Sequence, residues 1–188
     1  DMYLNTALAE RLLEKLSDIF IEFYSYFITP IGKYLTWIEF ESDFGMQDRP
    51  LISGDMFRKF LKEPMGKVIT EVKKIAPQAK IYLHSCGSIK EFMPDFIDIG
   101  IDIISGVQPL AKDMDSAMLK KEFGKDITFC GGIDVQELLP YGTPEQVKES
   151  VKNTIKIFGK NGGYILGPAQ NIGPDLSLLH ISEPTRLL

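Results

Sequence analysis

Cysteine is scarce in this sequence: 188 residues contain two, Cys86 and Cys130. Two thiols cannot supply the bridges that staple a small secreted domain, so a reduced, cytoplasmic setting is expected. Blocks of Lys and Arg are absent as well; 21 basic side chains stand against 26 acidic ones, for a net charge of −5. Such a balance offers no basic surface for nucleic acid. Long apolar runs are also missing. The richest stretch, Ile19 to Ile31, is interrupted by Glu22 and is too short to cross a bilayer. The first residues lack the basic and apolar regions of a signal peptide. Neither nucleic acid nor membrane is therefore an expected partner. What is present, 44% hydrophobic and 25% charged residues, is the ordinary composition of a soluble globular domain.

Along the chain, helical periodicity alternates with short β-rich runs, the pattern of βα units around a parallel sheet. Leu8, Leu12, Leu16, Ile19, Phe20 and Phe23 form an apolar stripe that predicts an opening amphipathic helix. The aromatic stripe Phe20, Phe23, Tyr24 and Phe27 is read as core-facing. Thr36 to Glu41 predicts the first strand. A long helix through Phe57, Phe60, Val68 and Val72 follows, with Pro64 expected to kink or break it. Ile81–Leu83, Ile101–Ile104, Ile127–Cys130 and Tyr164–Leu166 predict four more strands. Gly100 is a natural helix stop, and Thr143-Pro144-Glu145-Gln146 is a helix start with a capping box. Val147, Val151, Ile155 and Phe158 are expected to form the buried face of that last helix.

Right-handed crossovers would curl five such units into part of a barrel or lay them out as an open doubly wound sheet. In an open sheet, functional residues gather at one switch point. Here polar and Gly-rich residues follow nearly every strand, which favours a TIM (β/α)₈ barrel, whose site collects all the βα loops. Five units make that barrel incomplete. Residues 1–175 are read as this partial barrel domain. Residues 176–188 resemble a read-through library adapter, so His180, Glu183 and Arg186 receive no functional role.

Several strand-end residues are candidates for chemistry. His84 and Cys86 lie two apart at a strand end, so imidazole and thiolate can converge on one metal ion such as zinc. Two ligands fall short of a site, and the alternative is a pocket-lining His beside a packed thiol. Cys130 is a further candidate ligand, against the alternative of a small buried hydrophobe. Glu41 and Asp43 would share one face and act, with His84, as catalytic groups; Asp43 has the alternative of capping its loop. Gln47 and Gln108 are expected to bind a polar substrate, as are Gln170 and Asn171 after the last strand. Asp134 has two readings, a pocket contact or a helix cap.

Six segments taken together carry a resemblance: Glu41–Gln47, Leu83–Ile89, Gly100–Ile104, Phe129–Asp134, Leu139–Val147 and Gly163–Pro168. In this order and spacing the chain resembles the uroporphyrinogen decarboxylase superfamily, which includes cobalamin-dependent methyltransferases. The resemblance implies that the five strands are the last five of the barrel. In the methyltransferase branch it implies that His84 and Cys86 bind zinc with a later cysteine, and that a thiol takes a methyl group from a corrinoid on a partner protein. The sequence departs from that pattern where Ala169-Gln170-Asn171 replaces the cysteine. The alternatives are a cofactor-free uroporphyrinogen decarboxylase of tetrapyrrole synthesis, and a non-catalytic barrel that binds a corrinoid or small ligand. The branch histidine expected of a decarboxylase is absent at Gln170, so methyl transfer leads.

Overall fold

The computed structural model describes residues 2–173. The expected domain boundary after residue 175 lies outside the described residues. The architecture is α/β: five parallel strands, β1 (Trp37–Glu41), β2 (Lys80–His84), β3 (Ile103–Val107), β4 (Thr128–Ile133) and β5 (Tyr164–Pro168), lie side by side in chain order. A doubly wound sheet reverses its strand order at a switch point. This sheet does not, and the observed order is that of consecutive barrel staves.

The helices are α1 (Thr6–Ile28), α2 (Gly54–Phe60), α3 (Lys62–Ile75), α4 (Met93–Asp98), α5 (Ser116–Phe123), α6 (Leu138–Tyr141) and α7 (Pro144–Phe158). They cover one face of the sheet. Strand residues alternate sides, so Ile38, Ile81, Leu83, Ile104 and Phe129 are buried beneath the helices, while Glu39, Glu41, Tyr82 and His84 stand on the other face. Phe44, Phe57, Phe92 and Phe96 form one aromatic knot in the core, with ring centroids 5.1–5.9 Å apart. Removing one such ring typically costs about 3–5 kcal/mol.

The predicted long helix is two helices. The break falls at Leu61, which places Pro64 third in α3, where its missing N–H leaves no intrahelical bond unmade. Gly100, at φ +93°, ends α4. Its N–H donates to Ile97 and that of Ile101 to Phe96, which satisfies two terminal carbonyls. Thr143 and Gln146 form the reciprocal capping box at the start of α7.

Four expectations are corrected. The apolar stripe of α1 is exposed, Leu12 by 56% and Phe20 by 51%; the helix instead turns Ala9, Ser17, Ile21, Tyr24 and Ile28 inward. Of the aromatic stripe only Tyr24 packs inward, its ring 4.9 Å from that of Phe40. Strand β3 lies two residues later than expected. Asp102 is tied in ahead of it, accepting the Ile81 N–H at 2.9 Å and pairing with Lys73 at 3.0 Å. In α7 it is Thr154 and Phe158 that are buried, whereas Ile155 is exposed.

Candidate functional site

The β1–β2 register sets Glu41 beside His84, so the two strands deliver their ends to the same level. The following residues then turn inward together. One ligand atom each from Asp43, His84 and Cys86 lies within 4.8 Å of the others. Cys86 Sγ is 3.3 Å from His84 Nε2, a spacing that two ligands of one tetrahedral zinc ion would have. The other imidazole nitrogen, Nδ1, faces Ser105 Oγ at 3.4 Å. A proton on Nδ1 donated there leaves Nε2 free as a ligand, the usual outer support of a metal-binding histidine.

Gln170 completes this corner. Its Nε2 donates to Cys86 Sγ at 2.8 Å and lies 3.4 Å from His84 Nε2, while its Oε1 accepts the Asn171 N–H. Partial burial, together with the Asp43 carboxylate, pushes the Cys86 thiol up to about 11; the Gln170 donor pulls it the other way. Without a metal the side chain is therefore a thiol at neutral pH. Bound metal would have to displace that proton. The donor set of one nitrogen, one sulfur and one carboxylate oxygen fits zinc.

Asp43, His84 and Gln170 open onto a cavity of about 790 Å³, with the half-buried Cys86 set behind them. Glu39, Glu41, Tyr82, Ser105, Cys130 and Asn171 line it as well. Glu39, Tyr82 and Ser105 were missed in the sequence, although the alternation Trp37-x-Glu39-x-Glu41 and Tyr82-x-His84 was a legible signal for one polar face. Cys130 lines the cavity but is not one of the clustered ligands. Tyr82 donates its hydroxyl to the Cys130 sulfur at 3.3 Å, and burial followed by this contact raises the phenol to about 12. The third member of the cluster is a carboxylate, Asp43.

Gln47, Gln108 and Asp134 do not line the cavity. The Gln108 carbonyl accepts from Gln47 Nε2 and from the Gly87 N–H, each at 2.9 Å. Asp134 accepts the N–H groups of Gln136, Glu137 and Leu138, which is the cap reading. These groups hold loops together. The latch continues at Asp43, whose Oδ1 accepts the Cys86 N–H at 2.8 Å, and at Ser85, whose Oγ accepts the Phe44 N–H at 3.0 Å. Gly45 and Gly87 meet where these loops touch, and a Cβ on Gly45 would come within 2.5 Å of the Cys86 carbonyl oxygen.

A family model described as uroporphyrinogen decarboxylase (URO-D) matches residues 1–185. A uroporphyrinogen decarboxylase of Chlorobaculum tepidum is 24% identical over 178 residues, covering 93% of this chain and 47% of that protein. A methylated-thiol–coenzyme M methyltransferase of Methanosarcina mazei is 29% identical over 130 residues, 65% of this chain and 32% of that protein. Among solved structures, a methyltransferase from Methanosarcina mazei superposes with a TM-score of 0.68 at 21% identity, covering 97% of this chain and 51% of its own. That likeness supports the barrel fold. The chain thus spans a third to a half of the length of relatives that include both decarboxylases and a methyltransferase, all of them enzymes. It belongs to the uroporphyrinogen decarboxylase family.

Proposed function

We propose that the complete protein is a zinc-dependent methyltransferase that moves a methyl group from a corrinoid carried by a partner protein to a thiol. The observation that carries this reading is the convergence of Asp43, His84 and Cys86, the first two of which line a cavity large enough for a small substrate. Zinc, when bound, supplies a Lewis acid that lowers the pKa of an acceptor thiol. Asp43, His84 and Cys86 would hold it. Ser105 orients the imidazole, and Gln170 donates to the Cys86 sulfur. In the transfer itself, the acceptor sulfur forms a bond to the methyl carbon. The bond from that carbon to the donor breaks, its electron pair stays with the donor, and the acceptor's proton passes to solvent.

The rival reading, decarboxylation of a tetrapyrrole, requires cations that grip substrate carboxylates. Among the described residues no Lys or Arg lines the cavity. The loop arginine Arg49 is exposed and paired with Asp48 at 2.7 Å. The discriminating experiment loads the full-length protein with zinc and mixes it with methylcobalamin and a thiol, following the cobalamin spectrum. Zinc-dependent demethylation that disappears in Cys86→Ser is expected. Release of CO₂ from uroporphyrinogen by metal-free protein would establish the rival.

A further inference from the structure

Among the described residues, the Asp, Glu, Lys and Arg side chains that line the cavity are all acidic: Glu39, Glu41 and Asp43. Along β1 the positions that face the cavity hold Glu39 and Glu41, separated by about 6.6 Å of strand rise. Asp43 follows on the loop, at the metal-ligand cluster. Neither neighbouring cation lines it: Lys80, at the start of β2 on the face of Tyr82 and His84, reaches Asp102 at 3.4 Å, and Arg49 is held by Asp48. Across from Glu39, its strand partner Tyr82 presents an aromatic ring, stacked on Trp37 with centroids 6.1 Å apart.

Loading a divalent ion does not reverse this sign. Two positive charges are matched by the Asp43 carboxylate and the Cys86 thiolate, with His84 neutral. Among the described lining residues, Glu39 and Glu41 then leave a net two negative charges. A ligand whose sulfur sits at the ion extends down the strand toward Glu41 and then Glu39. An anionic tail there meets like charge, and a cationic tail meets two carboxylates and an aromatic face.

We propose that the substrate thiol taken by this cavity is an aminothiol, with its sulfur directed at Asp43, His84 and Cys86 and its ammonium group between Glu39 and Glu41. This rests on the metal-site reading above and adds the charge class of the substrate to it.

Three thiols of nearly equal length test it: 2-aminoethanethiol, 2-mercaptoethanol and 2-mercaptoethanesulfonate, with a positive, neutral and negative tail. Binding is followed on the full-length protein loaded with cobalt(II), whose visible spectrum responds to a new sulfur ligand. The expected order of affinity is amine, then alcohol, then sulfonate, with at least tenfold between first and last. In the double variant Glu39→Gln, Glu41→Gln that ratio collapses by a factor of ten or more. Comparing ratios between wild type and variant cancels the differing acidities of the thiols. Both glutamates stand on the open face, and circular dichroism verifies that the variant folds. Equal affinities in wild type, or a preference for the sulfonate, overturn the charge selection while leaving the metal site standing. Failure to bind cobalt, or a cobalt spectrum indifferent to all three thiols, overturns both.

Discussion

Gly45→Ala is the substitution that strikes the site without replacing a ligand. The added methyl would lie 2.5 Å from the Cys86 carbonyl oxygen, 2.6 Å from the Ser88 nitrogen and 2.7 Å from the Gly87 carbonyl carbon. All three are backbone atoms, so no side chain can swing away. Restoring ordinary contact near 3.4 Å requires the two loops to part by about 0.9 Å, an overpacking that costs about 1–3 kcal/mol. The same movement stretches the Cys86 N–H to Asp43, Phe44 N–H to Ser85 and Ser88 N–H to Met46 hydrogen bonds, now 2.8, 3.0 and 2.7 Å. Each is worth about 1 kcal/mol net. The expected result is a loss of about 2–4 kcal/mol in urea unfolding and a drop in zinc affinity of about a hundredfold, measured by competition with a chromophoric chelator. Gly167→Ala is the control, because a Cβ there meets nothing within 4 Å; it should change stability by less than about 0.5 kcal/mol. Wild-type zinc affinity in Gly45→Ala would refute the claim that this glycine contact sets the ligand geometry.

Other expectations follow from single contacts. Asp134→Ala removes the acceptor of three backbone N–H groups and should destabilise the fold by about 1–2 kcal/mol in urea, leaving metal affinity unchanged. Because the folded Cys86 thiol stands near 11 against an ordinary 9.0, its contribution to the metal-free protein is complete below pH 9 and is lost as pH rises toward 11. Thermal melts of the metal-free protein should fall across that window, and Cys86→Ser should remove part of the decline. For the same reason zinc affinity should tighten by up to about tenfold per pH unit between pH 7.5 and 9, because binding releases one Cys86 proton. Gln170→Ala deletes the donor to the Cys86 sulfur, so iodoacetamide should alkylate the metal-free thiol more slowly at pH 9 than in wild type.

Much of this architecture was legible in the sequence because punctuation and period agreed. Gly100 and the Thr143–Gln146 box ended and began helices where expected, and all five strands exist. The misplacement of β3 has a local cause: its second half, Ser105-Gly106-Val107, carries little β signal, and its pairing with β4 shifts register between Ile104 and Val107. The α1 error has a different origin. Periodicity shows that an apolar stripe exists, and it does not show which neighbour covers it; α3 and β1 took the narrower face with Ala9, Ile21 and Tyr24. At the site, the His84-x-Cys86 pair is a spacing signal carried by one strand end. The partnership of Asp43 with that pair depends on β1–β2 register, and so became visible only in three dimensions. Gln47 and Gln108 look like substrate contacts by residue type, yet each satisfies the other's loop.

The most direct test of the account is cobalt(II) titration of the full-length protein and of Cys86→Ser, read by the sulfur-to-cobalt charge-transfer absorption in the near ultraviolet. Wild type should bind one equivalent with that absorption, and the variant should lose it and bind at least a hundredfold more weakly. Undiminished absorption and affinity in Cys86→Ser would contradict it.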